Sequence, residues 1–169
     1  RGQIALGDCV NFAVPTGNFG DILAGYLAKC LGLPVGKLIC ASNANNVLTD
    51  FIRTGTYDRR RNLCKTISPS MDILVSSNLE RLLYLLSDCD TALVSDLMGQ
   101  LNTQGSYTVS DALLQKIGES FWAGCCDDAG AQAAIAQVWQ DHRYLCDPHT
   151  ATGWAVAEDY VNQTGDSRP

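Results

Sequence analysis

The amino-acid sequence predicts an α/β fold, three-layered with a mainly parallel sheet, and three observations carry that expectation. Two short apolar runs of strand length, "DCVNFAV" and "KLICAS", flank a helical pattern, "DILAGYLAKCL". Strand and helix patterns go on alternating after them, as they do in parallel α/β sheets. With 169 residues and neither an internal repeat nor a boundary, the chain reads as one domain over 1–169.

The elements follow in order. Asp8 to Val14 is apolar-rich and ends at Pro15 and Gly17, which predicts a buried strand. From Asp21 to Leu31, Ile22, Leu23, Tyr26, Leu27, Cys30 and Leu31 recur at helical spacing. Gly32-Leu33-Pro34 supplies the glycine stop and the proline that follows a helix end. Lys37 to Ser42 is the next buried strand, so the opening residues read as a right-handed βαβ unit. "NANN", Asn43 to Asn46, turns into a helix "VLTDFIRTG" closed by Gly55. Tyr57 to Asp72 is polar and predicts irregular structure. Leu79, Leu82, Leu83 and Leu86 share one helical face. Further helices are expected over Thr91 to Leu101 and from an N-cap at Ser110 to Ile117, with a strand at "ESFWAG". An alanine-rich helix follows Asp127 or Asp128 to about Asp141, and Asp147-Pro148 opens the last one.

Composition narrows the partners. A net charge of −6 argues against nucleic acid or an anionic membrane, since both ask for a basic face. The basic cluster Arg59-Arg60-Arg61, near Lys65 and Arg53, could draw a phosphate-bearing substrate or could simply be a solvated surface. The eight cysteines contain no Cys-x-x-Cys pair and only two histidines accompany them, so no metal site is expected. Cys9, Cys30 and Cys40 sit among apolar neighbours and read as reduced core residues of a cytoplasmic protein. The chain opens Arg1-Gly2-Gln3-Ile4 without methionine, which reads as a piece of something longer.

The loop "PTGNFGD" between the first strand and helix carries the chemistry. Such a loop lies at the carboxyl end of a parallel strand, where α/β sheets bind ligands. A helix N-terminus offers unpaired N–H groups and a partial positive charge to an anion. Gly17 and Gly20 would open space for its approach and allow the backbone angles that turn successive N–H groups inward. Neither Gly-x-x-x-x-Gly-Lys-Ser/Thr nor Gly-x-Gly-x-x-Gly is present. Composition alone leaves two readings open, a phosphate seat and a ligand-free turn.

"VPTGNFGDILAGYLAKCLGLPV", then "SNANNVLTDFIRTG", "SPSMDI" and "DPHTATGW", resemble the threonine synthase family in its longer bacterial and fungal form. The match keeps its order from about Val10 to Trp154. The resemblance implies part of the large domain of a fold-type II enzyme that uses pyridoxal phosphate. It implies a reaction of O-phosphohomoserine with water that gives threonine and phosphate. Gly17, Asn18, Phe19, Gly20 and Asp21 fall on the family's cofactor-phosphate loop. Ser68, Asp72 and His149 fall on motifs where either a site role or a turn or cap explains them. The family's Schiff-base lysine lies upstream of the loop, and none of Lys29, Lys37, Lys65 and Lys116 occupies that motif. No catalytic residue is therefore expected here, and the segment alone should not turn over substrate. The alternatives are a non-catalytic α/β module that binds a phosphate ligand, and a ligand-free structural fragment.

Overall fold

The structure, a computed structural model, describes residues 4–169. Arg1-Gly2-Gln3, where the reading of a missing start begins, lies outside the described residues. Strand β1 (Val10–Pro15) leads through helix α1 (Gly20–Cys30) to β2 (Val35–Ser42), and the two strands pair in parallel. Next come α2 (Val47–Thr54), β3 (Thr56–Asp58) and a single 3₁₀ turn, Pro69–Met71. Helices α3 (Leu79–Leu86) and α4 (Thr91–Gln104) precede β4 (Ser106–Thr108). The chain continues through α5 (Asp111–Ser120), β5 (Phe121–Cys125), α6 (Asp128–His142) and α7 (Pro148–Thr164). The main sheet is wholly parallel in the order β1-β2-β5, and β3 and β4 form a separate antiparallel pair.

Three layers result because β2 is buried on both sides. Leu38 and Cys40 join the larger core with residues of α1, α2, α3, α4 and α5, whereas Ile39 and Ala41 meet Val156 and Tyr160 of α7. That alternation is the period-2 geometry of a strand, with helices covering both faces as parallel sheets require. The same period sends Phe121 and Ala123 of β5 to the first side and Trp122 to the second.

Several sequence readings are met at the level of caps. Ser110 Oγ accepts from Leu113 N at 3.3 Å, and Asp127 Oδ1 accepts from Gly130 N at 2.9 Å. Asp147 caps α7 through His149 N and Thr150 N, with Pro148 in the first turn. Two expectations need correction. Tyr57 to Asp72 is not wholly irregular, since Tyr57 lies in β3 and pairs with Tyr107 of β4. Strands of three residues are too short to show a period, so only cross-chain pairing reveals them. Of the cysteines assigned to the core, Cys40 alone is buried, and burial pushes its thiol up to about 12. Cys9 precedes the edge strand and Cys30 ends α1, and both are exposed.

Candidate functional site

The loop lies at the carboxyl end of β1, where the strand hands over to α1. Thr16 anchors its entry: its amide donates to Ala41 O at 2.8 Å and its hydroxyl to Val14 O at 2.6 Å. From there the amides are left open. Among the described residues, no backbone N–H from Gly17 to Ile22 donates a hydrogen bond, and no side chain caps α1. A helix leaves its first N–H groups orphaned, and here the preceding loop adds its own. Asp21 stands in the first turn, where a carboxylate suits the helix dipole.

The left-handed residue of the loop is Phe19, with φ 64° and ψ 6°, not either glycine. A left-handed residue beside right-handed helical ones curls successive N–H groups toward one concavity, the geometry that binds anions. A non-glycine residue is strained there by about 1–3 kcal/mol. The ring offsets this by burial: Phe19 is 1% exposed and lies 5.6 Å from Phe121 across the core.

Gly17 serves close approach instead. A Cβ on Gly17 would sit 2.7 Å from Ser70 O, so the 3₁₀ segment can lie on the loop only because that atom is missing. Gly20 is exposed, and a Cβ there would meet only Asn78 Nδ2 at 3.4 Å. The loop carbonyls are engaged from the α3 side. Ser76 Oγ donates to Gly17 O at 2.9 Å, and Asn78 donates to Asn18 O through Nδ2 at 2.9 Å and through its amide at 3.2 Å. Sequence reasoning missed Ser76 and Asn78. Asn78 carries a weak signal, as a polar residue just before the apolar helix pattern, but that signal reads as a cap.

The remaining candidates gather nearby without entering the loop. Asp72 accepts from Asn43 Nδ2 at 2.8 Å, Asn45 Nδ2 at 3.0 Å, Thr66 Oγ1 at 2.7 Å and Thr66 N at 2.9 Å. Burial works to raise its carboxyl, but these donors outweigh it and hold Asp72 below the usual carboxylate range. Ser68 is buried, and its hydroxyl accepts from Asn43 Nδ2 at 3.1 Å rather than capping the turn. His149 Nε2 accepts from Ser70 N at 3.2 Å, and Nδ1 lies 3.0 Å from Asp147 Oδ1. A backbone amide can only donate, so Nε2 is bare and the ring proton sits on Nδ1, facing the carboxylate. The hydroxyl of Thr150, with His149, holds Asp147 well below the usual carboxylate range.

Three of the four lysines and the arginine cluster have partners of their own. Lys29 Nζ donates to Gly36 O at 2.8 Å, and Lys37 Nζ to Gly118 O and Glu119 O, all at the end of the sheet opposite the loop. Lys116 bonds Leu86 O and Asp88. Lys65 is exposed and follows Cys64, whose amide donates to Asn45 Oδ1 at 2.9 Å. In the basic cluster Arg60 pairs with Asp58, Arg61 with Asp50 and Asn46, and Arg59 reaches Asn102 O. Arg53 donates to Ala123 O and lies over the Trp122 ring at 5.6 Å.

A groove of about 690 Å³ between α1, α3 and α4 is lined by Leu23, Leu27, Tyr84, Val94 and Met98, and no loop residue from Gly17 to Asp21 lines it. Asp21 instead borders a groove of about 390 Å³ along the open side of β1, with Phe12, Pro15 and Leu33. No helix is long and apolar enough to cross a membrane among the described residues.

No protein-family model matches the chain. Threonine synthase-like 1 of Homo sapiens is 46% identical over 165 residues, which cover 97% of this chain and 22% of that protein. Threonine synthase of Saccharomyces cerevisiae is 36% identical over 170 residues, 93% of this chain and 33% of its own. Among solved structures, the PLP-bound threonine synthase of Brucella melitensis superposes with a TM-score of 0.89 at 44% identity, over 92% of this chain and 33% of that one. The chain thus spans a third or less of the length of these relatives. Its mainly parallel sheet between helical layers is the fold of that part of them. By sequence and by fold, over nearly all of its residues, this chain is homologous to the threonine synthases and threonine synthase-like proteins.

Proposed function

We propose that this chain supplies the seat for the phosphate of pyridoxal phosphate in an enzyme of the threonine synthase kind. The whole protein would act on O-phosphohomoserine and water to give threonine and phosphate. Residues 1–169 would form one α/β unit, part of the large domain of a fold-type II enzyme. The observation that carries this reading is the run of unengaged amides from Gly17 to Ile22 at the mouth of β1 and the start of α1. It coincides with homology to a threonine synthase whose structure holds PLP.

The residues fit the group. Gly17, Asn18, Phe19 and Gly20 would hold a phosphate through main-chain N–H groups, and the dipole of α1 would favour its charge. Asp21 would open the helix beneath it. When bound, the cofactor supplies an electron sink for carbanion chemistry beside the substrate's amino group. This chain's part is to fix one end of that group. The segment around the 3₁₀ turn closes over Gly17, and the Asp72 hub keeps that segment in place. Oriented binding of this kind lowers the entropic cost of reaction.

The proton-handling lysine would come from outside this chain. Lys29, Lys37 and Lys116 are all committed to carbonyl or carboxylate partners away from the loop. On this reading the segment by itself would be inactive. The free cysteines suit a reducing compartment, and we assign the protein to the cytoplasm with a small-molecule substrate. A second reading, a non-catalytic phosphate-binding module, is favoured by the same lysine placement.

Titration of this chain with pyridoxal phosphate tests the proposal. The expected result is reversible binding, competed by inorganic phosphate, weakened at least tenfold by Gly17→Val and accompanied by no turnover of O-phosphohomoserine. Binding unaffected by Gly17→Val in a folded variant would place the seat elsewhere. Reduction with borohydride followed by mass spectrometry separates the two readings in the longer enzyme: a pyridoxyl-lysine upstream of the loop supports the enzyme, and its absence the module.

A further inference from the structure

We infer that Ser76 and Asn78 are positioning residues for the anion seat, which set the direction of its amides by holding the carbonyls of the same peptide groups. The inference rests on the cofactor-phosphate reading of the loop and adds to it the side chains that shape the seat.

The argument starts from the peptide unit. It is planar, and in the trans form the C=O and N–H of one unit point in opposite directions. No cis peptide occurs among the described residues. The carbonyl of Gly17 shares its peptide with the amide of Asn18, and the carbonyl of Asn18 shares its own with the amide of Phe19. Ser76 Oγ holds the first carbonyl at 2.9 Å, and Asn78 holds the second at 2.9 Å and 3.2 Å. Both carbonyls thereby face the start of α3, so the amides of Asn18 and Phe19 face away from it, into the concavity.

Asn78 behaves in a way that its position alone does not explain. It is the N-cap residue of α3, where an asparagine side chain ordinarily accepts from the helix amides. Here it makes no side-chain cap bond and reaches Asn18 O instead.

Ser76 is itself braced. It is buried, and its amide donates to Tyr57 Oη at 2.8 Å, while Tyr57 Oη donates to Leu74 O at 3.0 Å. The Tyr57 ring stacks on Tyr107 at 5.4 Å and meets Phe51 edge-on at 5.8 Å. The antiparallel β3–β4 pair thus fixes Tyr57, Tyr57 fixes Ser76, and Ser76 fixes the first peptide of the loop. Seats held rigid in this way bind more tightly, because less freedom is lost on binding.

The test uses the 169-residue chain, with inorganic phosphate and pyridoxal phosphate as probes. Ser76→Ala, Asn78→Ala and the double variant are compared by thermal unfolding and by ¹H–¹⁵N spectra. Each single change is expected to weaken both probes roughly threefold, and the double change roughly tenfold. In the unaltered chain phosphate moves the amide resonances of Asn18 and Phe19, and in the double variant that movement shrinks or vanishes. Ser76→Thr, which keeps the hydroxyl, is expected to restore binding; a purely structural role for Ser76 would not follow the hydroxyl. If Ser76→Ala fails to fold, Asn78→Ala reads the effect alone, because its backbone bond to Asn18 O remains. If the unaltered chain binds and a folded double variant binds equally well with unchanged amide shifts, the inference falls and the seat stands. If the unaltered chain binds neither probe, the seat and the inference fall together.

Discussion

Phe19 shows how a single residue can be both strained and required. Its left-handed backbone costs energy that glycine would not pay, yet its ring fills the core against Phe121. Phe19→Ala is expected to destabilise the chain by about 3 kcal/mol, because the strain stays and the burial is lost. Urea denaturation checks this, and a cost below about 1 kcal/mol would mean that the ring does not hold the loop. Asp72 is the second residue of this kind, with its donors converging on one carboxylate. Its carboxyl lies lower in the folded chain than in the unfolded one, so its contribution is present above the unfolded value, about 3.9, and is lost as pH falls through the folded value. Asp72→Asn presents an amide to donors and should lower stability at neutral pH while flattening the acid limb of the stability profile. Equal acid limbs for the two proteins would remove Asp72 from the account.

Helix α7 crosses the sheet face opposite α1 and depends on its first turn. Asp147 accepts there from His149 N, Thr150 N and Thr150 Oγ1. Asp147→Ala should therefore cost about 1 kcal/mol, and it should also free His149, whose Nε2 holds Ser70 N. Faster hydrogen exchange at the Ser70 amide, beyond the change in global stability, would report that second effect. An unchanged Ser70 amide would show that the 3₁₀ segment is held without His149. The helices and the apolar strands were legible because their periods of 3.6 and 2 are written in local apolar spacing. The β3–β4 pair was not, since three residues carry no period and their partners lie about fifty positions apart in the chain.

At the scale of the whole chain, the sheet ends at β1 and β5 among the described residues. Strand β1 pairs with β2 on one side only, and on the other side Asn11 N reaches Pro169 O at 2.6 Å. Phe12 in that strand is 43% exposed, and Leu33, which shares a groove with it, 48%. Open apolar edges invite further pairing. The chain by itself is expected to associate as its concentration rises, and Phe12→Lys should shift it toward monomer without lowering its melting temperature. Sedimentation equilibrium reads the association and thermal unfolding the melting temperature; a wild-type chain that stays monomeric at every concentration would mean that the edge is already shielded. The same edge borders the groove that takes in Asp21, so cover supplied by other parts of a longer protein would lie against the first turn of α1 as well.

Local patterning by itself determined the layers, the parallel sense of β1 and β2, and the helix caps at Ser110, Asp127 and Asp147. These follow from interactions between residues near one another along the chain, which composition and spacing express directly. Tertiary structure alone decided that Phe19 is the left-handed residue, that Gly17 makes room for Ser70, and that Ser76 and Asn78 hold the loop carbonyls. Each of those depends on segments more than fifty residues apart meeting in space. Such meetings are set by packing of the whole core, and no short stretch of sequence contains them.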